Sequence, residues 1–247
     1  MYLVLCAPED SAAKWACESM RTCGLEPVEL VTSDQLAYGR LWEHRIGRGP
    51  TTVRVELGDG RSIRAEDVSG GLNRLVMAPM DLVRLGRGAD REYATQELSS
   101  FYLSWLHALP AMMVGRPEPG GYCGRWRHIS EWAALAHRAG LRAPVYRQSA
   151  SSTCSGTAWT LAPSGVETEL AIACKGKLFG MTLPDDMASG CLRLAELAES
   201  DLLGVHLFRG QDGLWNFATA TPCPDFRSAG MPMIEHLICV WTKGDVE

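Results

Sequence analysis

The opening of the chain constrains its fold most strongly, because strand and helix patterns alternate there. "YLVLCA" (2–7) and "EPVELV" (26–31) are short apolar runs typical of buried strands. Between them, "SAAKWACESMRTCG" (11–24) has a helical pattern, with Ser11 near its start and Gly24 at the left-handed stop position. Two strands joined through a helix favour parallel pairing, so the sequence predicts an α/β domain.

Further strands and helices are expected in this first half. "TTVRVELGDGRSIRAED" (51–67) predicts a hairpin, because Asp59-Gly60 suits the positive φ angles of a type I′ turn. "GGLNRLV" (70–76) predicts a short strand before the longest helix, 91–110, where apolar residues recur at helical spacing. After it we expect a strand at 111–117, a helix at 128–140 and a strand at 143–148.

The second half has a different character. The serine-rich stretch "SASSTCSG" (149–156) is the best candidate boundary, so we predict domains at 1–148 and 149–247. Beyond it the sequence predicts a hairpin turning near Lys175-Gly176, a helix from 185, two paired strands around 211–213 and a closing helix. This half is therefore expected to be α+β with antiparallel strands.

Composition excludes several classes of function. The net charge is −5 and the pI is about 5.7, so no basic field favours nucleic acid or an anionic membrane surface. No run approaches the ~18 apolar residues of a membrane helix, and the N-terminus lacks a signal-peptide pattern. We therefore expect a cytoplasmic protein whose nine cysteines are free thiols.

General catalytic motifs are absent from the sequence. It contains no phosphate-binding G-x-x-x-x-G-K-[ST] loop, no dinucleotide fingerprint, no G-x-S-x-G elbow and no clustered zinc spacing. Two features remain above background. One is the arginine-bearing strand "GLNRL" with the long helix after it, and the other is the strand pair that runs into "TPCPDF".

Together these features resemble the ATP-grasp superfamily, in particular the branch that modifies peptides and ligates amino acids. The motifs are "GGLNRL", the helix "YATQELSSFYLSWLHALP", the turn "GRP" where the family has an asparagine, "EWAALAHRAGLRAPVY" and "LGVHLFRGQDGLWNFATATPCP". The resemblance implies a pre-ATP-grasp-like α/β domain followed by a shortened ATP-grasp-like α+β domain. It also implies a role in biosynthesis of a modified peptide or another natural product.

The sequence departs from the family pattern where the family binds metal. The acidic position on the first strand of the pair falls on His206, the metal-ligating glutamate on Thr219 and the asparagine on Thr221. Magnesium prefers carboxylate and carbonyl oxygens and bridges nucleotide phosphates in this chemistry. Three neutral substitutions predict a vestigial site with no metal. Alternatively, both threonines are ordinary strand formers that need no function.

The lysines lead to the same expectation. The family clamps ATP with lysines on apolar strands, whereas the lysines here are in other contexts: Lys14, Lys175, Lys177 and Lys243. The segment between Tyr146 and Val166 is also too short for the family's nucleotide-covering subdomain. We therefore expect no cofactor, with ATP and magnesium retained only if the chain is still a ligase.

The first functional hypothesis is a catalytically inactive binding protein. It holds a peptide, a small substrate or an active partner enzyme, or it forms a homodimer, and it binds neither nucleic acid nor membrane. The candidate anion- and substrate-binding residues are Arg74, Arg116 and Glu97, since arginine suits bidentate contact with carboxylate or phosphate. Alternatively, these arginines form ion pairs with Glu97, Asp90 or Glu118.

The second hypothesis is an enzyme, in either of two forms. It remains an ATP-dependent carboxylate–amine ligase with atypical metal ligands, drawn from Asp201, Asp212 and Asp225. Otherwise the cleft serves different chemistry, with Cys223, His206 and Asp225 as nucleophile, base and orienting group. A structural role for Cys223 is the simpler interpretation.

Overall fold

The computed structural model describes residues 1–49, 51–80, 83, 88–110, 112–147 and 159–243. The chain forms two compact units, the first Met1–Arg125 together with the C-terminal residues from Ile234, and the second Trp126–Met233. The boundary predicted between residues 148 and 149 lies outside the described residues and stays a prediction.

The first unit contains, in chain order, β1 (Tyr2–Cys6), α1 (Ser11–Thr22), β2 (Val28–Thr32), α2 (Ser33–Ala37), β3 (Leu41–Arg45), β4 (Thr52–Glu56), β5 (Ser62–Arg64), β6 (Gly70–Asn73), α3 (Gly88–Ala108) and β7 (Met113–Val114). Four of these strands form a parallel sheet in the order β2-β1-β6-β7. The parallel βαβ opening predicted from the sequence is confirmed. Asp10 caps α1 by accepting from the Ala13 amide at 2.9 Å, and Gly24 ends it with a φ of 83°.

A second, antiparallel sheet of this unit has the order β3-β4-β5. The predicted hairpin is present as β4–β5, but the type I′ prediction is wrong. Of the two turn residues, only Gly60 has a positive φ, of 92°. Its amide donates to the Leu57 carbonyl at 3.1 Å. This is the geometry of a turn followed by a glycine bulge, which needs one left-handed residue instead of two.

The second unit contains α4 (Ile129–Arg138), β8 (Glu169–Cys174), β9 (Lys177–Phe179), α5 (Asp185–Leu197), β10 (Leu202–Arg209) and β11 (Trp215–Thr221). Its antiparallel sheet has the order β11-β10-β8-β9. Lys175 and Gly176 both have positive φ angles, 43° and 78°, as the tight β8–β9 turn requires. The last helix, α6 (Gly230–Lys243), begins in this unit.

Each unit has its own apolar core. Tyr102 and Trp105 of α3 pack against β-strand residues of the first unit such as Leu3. In the second unit, Trp132 of α4 and Leu194 of α5 belong to the cluster that includes residues of β8, β10 and β11. This mixed architecture, with a parallel sheet in the first unit and an antiparallel α+β second unit, is the predicted fold class.

The prediction of a strand at 143–148 is wrong. Residues 141–147 have no regular secondary structure, although a strand was expected at 143–148. Pro144 has no amide hydrogen to donate, and the described contact with the sheet is a hydrogen bond from the Phe217 amide to the Arg142 carbonyl at 2.7 Å. Within the described residues, no helix has the length and apolar character needed to cross a bilayer.

Candidate functional site

The central feature of the candidate site is the pairing of β10 with β11. His206 lies opposite Thr219, and Thr221 lies opposite Gly204. A register shift follows His206 in this ladder, as in a β-bulge. Val205 and Ala220 are in the core cluster with α4 and α5, so alternation along the strands places the predicted site residues on the other face of the sheet. The pairing of β10 with β11 therefore brings His206, Thr219 and Thr221 to one face of the sheet.

None of these three side chains carries a negative charge. His206 is partly buried, with Nδ1 3.4 Å from the Thr168 hydroxyl oxygen, and burial lowers the pKa of its imidazole. The Thr221 hydroxyl accepts from the Cys223 amide at 3.2 Å. An imidazole and two hydroxyls lack the anionic oxygens that hold magnesium, so these residues do not fit the metal that the family resemblance implies.

The three nearby aspartates are held in ion pairs. Asp201 is 3.0 Å from Lys175 and Asp212 is 2.7 Å from Arg142, in each case measured from carboxylate oxygen to side-chain nitrogen. Asp225 receives Arg227 in a bidentate contact, with separations of 2.9 and 2.5 Å. Among the described residues, no group of three or more histidine, cysteine, aspartate or glutamate side chains is placed to hold a metal ion.

The proposed reactive set has a similar difficulty. The carboxylate of Asp225 is engaged by Arg227, and it also accepts from the Arg227 amide at 3.2 Å. The His206 ring contacts Thr168 on the chain just before β8. Cys223 is partly buried, one residue beyond Pro222 in the segment after β11. No described contact joins Asp225 to His206, as an orienting group for a base requires.

A cavity of about 450 Å³ opens beside β11 in the second unit. Thr219 and Thr221 contribute to its lining, together with Ile129 and a group of tryptophans: Trp126, Trp132 and Trp159. Sequence reasoning missed this cavity. Trp159 is 27 residues beyond Trp132 in the sequence, so tertiary structure brings it to the other two tryptophans.

In the first unit, Arg74 forms a buried ion pair with a residue that the sequence did not indicate. Its side chain is 6% exposed, and its Nε lies 2.7 Å from the Asp10 carboxylate. The predicted partners were Glu97, Asp90 and Glu118. Asp10 follows β1 and Arg74 follows β6, so neighbouring parallel strands deliver both to one sheet edge. An acidic N-cap in the loop between a buried strand and its helix is the signal that could have indicated this pair.

Asn73 fixes the same edge of the sheet. Its side-chain amide donates to the carbonyls of Gly115 at 2.9 Å and Tyr122 at 2.6 Å, and its Oδ1 accepts from the Leu75 amide. A side chain at Gly115 is excluded, since its Cβ would lie 2.2 Å from the Asn73 carbonyl oxygen and its φ is 78°. The glycine of the "GRP" turn is therefore required by packing.

The other two candidate binding residues are placed differently. Arg116 follows β7, which pairs with β6, so the structure brings it to the same sheet edge as Arg74. Arg116 is partly exposed and makes no hydrogen bond or ion pair in the described part of the chain. Glu97 is exposed on α3, and no described contact joins it to either arginine.

The four lysines lie in different parts of the structure. Lys14 lies in α1 and Lys243 is the last residue of α6. Lys175 is paired with Asp201 at the β8–β9 turn, and Lys177 is exposed on β9. The segment in which a nucleotide-covering subdomain was expected to be missing falls largely on residues 148–158, outside the described residues.

No protein-family model matches the chain, and no curated protein matches it in sequence. Solved structures do match its fold. Macrocyclase MdnC from Microcystis aeruginosa MRC, bound with precursor peptide MdnA, has a TM-score of 0.72 at 10% identity, covering 98% of this chain and 99% of that chain. A RiPP-associated ATP-grasp ligase from Chryseobacterium gregarium, in complex with ADP and a leader and core peptide, has a TM-score of 0.71 at 11% identity. That match covers 100% of this chain and 98% of that one.

The chain has the fold of the RiPP-associated ATP-grasp ligases. A further match, ATP-grasp ligase PsnB complexed with precursor peptide PsnA2 and AMPPNP, has a TM-score of 0.69 at 14% identity and covers 98% of this chain and 97% of that one. The family resemblance found in the sequence is thereby confirmed at the level of the fold. At these identities the match establishes the ATP-grasp fold, and the chemistry has to be argued from the residues of this chain.

Proposed function

We propose that this ATP-grasp-fold protein is a pseudoenzyme that binds a peptide in a peptide-modifying biosynthetic pathway. The observation that carries the proposal is the neutral set His206, Thr219 and Thr221 on one face of β10–β11. The ligase structures it resembles contain a nucleotide and precursor peptides. The present chain keeps their fold but lacks anionic residues at the positions matched to the metal ligands.

Electrostatics support the loss of nucleotide chemistry. Phosphoryl transfer is catalysed mainly by positioning and by charge stabilisation from magnesium and lysine or arginine side chains. His206 adds no negative charge, because an imidazole is either neutral or cationic, and burial lowers its pKa and favours the neutral ring. The nearby aspartates Asp201, Asp212 and Asp225 are each neutralised by a basic partner. Recruiting one as a metal ligand requires that its ion pair be broken.

Two arginines at one edge of the parallel sheet support the peptide-binding part of the proposal. Arg116 lies at the carboxyl edge of the parallel sheet, where α/β proteins commonly bind ligands. Its guanidinium can form a bidentate contact with a peptide carboxylate. Arg74 supports the same edge through its ion pair with Asp10.

The competing function is an ATP-dependent ligase with atypical metal ligands. It requires a carboxylate to leave its ion pair and a lysine to move to the nucleotide. Lys175 is already paired with Asp201, so its movement to a nucleotide would break that ion pair. No described contact favours that rearrangement over the binding function.

Two measurements on the intact chain test the proposal. Phosphate release from magnesium–ATP is expected to be no faster than in buffer without the protein, with or without added peptides. Selection from a random peptide library displayed on phage is expected to enrich a family of related sequences. Phosphate release above the buffer rate contradicts the loss of catalysis. Absence of any enriched family contradicts peptide binding.

A further inference from the structure

The cavity beside β11 has the composition of a binding site for an apolar side chain. Its volume of about 450 Å³ lies within the ~300–1,000 Å³ range of ligand pockets. Trp132, which is buried, contributes to the lining from α4. Trp126 and Trp159 also line the cavity, yet they remain 48% and 75% exposed.

Such exposure is costly for tryptophan unless a ligand covers the rings. Tryptophan is highly buried on average in folded proteins, and exposed aromatic residues beside a cavity are typical of interaction sites. Trp126 and Trp159 both lie in the second unit and border the same cavity. Tryptophan is also among the residues that contribute most to binding energy at interfaces.

The charges around the cavity favour an uncharged occupant. Arg127 is the one permanently charged residue among the described residues of the lining, and its guanidinium lies 2.5 Å from the Glu131 carboxylate. It also donates to the Ala198 carbonyl at 2.9 Å. With its cation neutralised, the cavity does not offer the several positive charges that nucleotide phosphates require.

A cationic occupant is disfavoured for a related reason. The guanidinium carbon of Arg127 lies 5.5 Å from the ring centroid of Trp132, so an internal cation already occupies this aromatic ring. The described lining also contains no carboxylate to balance a second positive charge. Among uncharged side chains, aromatic ones are favoured, because they pack against tryptophan in offset or edge-to-face contacts.

The position of the cavity beside β11 determines how a peptide can approach it. β11 is at the edge of its sheet. Its outer side already bonds to irregular segments of the chain, since the Phe217 amide donates to Arg142 and the Ala218 carbonyl accepts from the Leu161 amide, both at 2.7 Å. The following residues of β11, Thr219 to Thr221, line the cavity. The outer side of β11 is therefore occupied at Phe217 and Ala218, and a peptide can approach the cavity beside Thr219 to Thr221.

We propose that this cavity binds an aromatic side chain of a peptide that lies beside Thr219 to Thr221 of β11. The assignment rests on the proposed peptide binding and specifies which side chain the site selects. The cavity thus serves as an aromatic subsite beside the positions that correspond to the family's metal ligands.

Titration with amino-acid amides tests the subsite directly. N-acetyltryptophanamide, N-acetylglycinamide and N-acetyllysinamide are added to the intact protein at millimolar concentration, and the indole N–H resonances of Trp126 and Trp159 are followed by NMR. Variants with each tryptophan replaced by phenylalanine assign the two signals. We expect saturable shifts of both signals with the tryptophan amide only.

Substitutions separate binding from folding. Trp126→Ala and Trp159→Ala should each weaken binding of N-acetyltryptophanamide by about tenfold or more, as expected for removal of an interface tryptophan. Thr219→Phe should also weaken it, because the larger ring fills the cavity. Leu214→Ala changes a residue of the same unit that is 56% exposed and outside the described lining, and it should bind like the native chain. Because Trp126 and Trp159 are exposed, the melting temperatures of the two alanine variants should be close to that of the native protein.

The subsite is overturned if the two signals do not shift saturably, or if all three amides shift them equally. It is also overturned if both alanine variants bind N-acetyltryptophanamide with native affinity. These outcomes are independent of the proposed function, which fails instead through phosphate release from ATP or through the absence of selected peptides.

Discussion

His206 lies directly opposite Thr219 in the antiparallel ladder of β10 and β11, at the point where the register shifts. The sequence resemblance predicts an acidic residue and a metal-ligating glutamate at these two positions. Here an imidazole whose pKa is lowered by burial faces a hydroxyl. The strand pair is present, but the negative charge expected at these two positions is absent. This combination is the basis of the pseudoenzyme account.

Restoring the family residues at two positions should not restore catalysis. The double variant Thr219→Glu, Thr221→Asn supplies a carboxylate and an amide, but no lysine lies in the family's strand context and Lys175 is held by Asp201. We expect phosphate release from magnesium–ATP to remain at the buffer rate. The melting temperature of the variant provides the folding control, and measurable turnover by the folded variant would show that the rest of the nucleotide site is intact.

His206 should make stability depend on pH in a defined direction. Its folded-state pKa is lowered by burial, so below pH 6.5 the unfolded chain binds the proton more readily than the folded chain. The contribution of the neutral ring is present above pH 6.5 and is lost as the pH falls through the folded-state pKa. Denaturant unfolding from pH 8 to pH 5 should show this loss in the native chain and less of it in His206→Gln. Equal slopes in the two proteins contradict a lowered pKa.

Trp215 should be one of the main stabilising residues of the second unit. It is 8% exposed, it belongs to the core cluster, and its ring centroid lies 4.3 Å from the guanidinium carbon of Arg209. Trp215→Ala should therefore lower the free energy of unfolding by ~3–5 kcal/mol. The neighbouring variant Leu214→Ala, at an exposed position, should change it by less than ~0.5 kcal/mol. Similar denaturation midpoints for the two variants are inconsistent with a buried Trp215.

The Arg74–Asp10 ion pair should be structural. Arg74→Met leaves the Asp10 carboxylate without its partner, and removal of one member of a buried pair typically costs ~3–5 kcal/mol. Asp10→Asn removes the charge but retains a residue able to cap α1, whereas Asp10→Ala removes both interactions. We expect Asp10→Ala to be the less stable of the two. In a double-mutant cycle measured by denaturant unfolding, additive effects of Arg74→Met and Asp10→Asn would exclude an energetic coupling.

Local patterns in the sequence were sufficient for most of the fold. The helical spacing in 11–24 and the turn at Lys175-Gly176 depend on neighbouring residues, and both predictions are confirmed. The strand predicted at 143–148 failed because Pro144 and the lack of a partner strand outweigh local strand propensity. β3 and α2 were missed because their short segments carry little periodicity.

The candidate site was predictable only in part, because its residues converge through tertiary structure. The ladder of β10 and β11 follows from the hairpin pattern, so the pairing of His206 with Thr219 is within reach of the sequence. The partner of Arg74 is 64 residues away at Asp10. The tryptophans of the aromatic subsite come from separate segments, and no local pattern connects Trp126 with Trp159.

The most direct test of the pseudoenzyme account is a thermal melt of the intact protein alone, with magnesium, and with magnesium plus millimolar ATP or ADP. A ligand present at 100 times its Kd stabilises the native state by ~2.7 kcal/mol, which raises the melting temperature measurably. The account predicts the same melting temperature in all three conditions. A magnesium-dependent rise with nucleotide would contradict it, because a nucleotide site would then survive despite the neutral residues on β10 and β11.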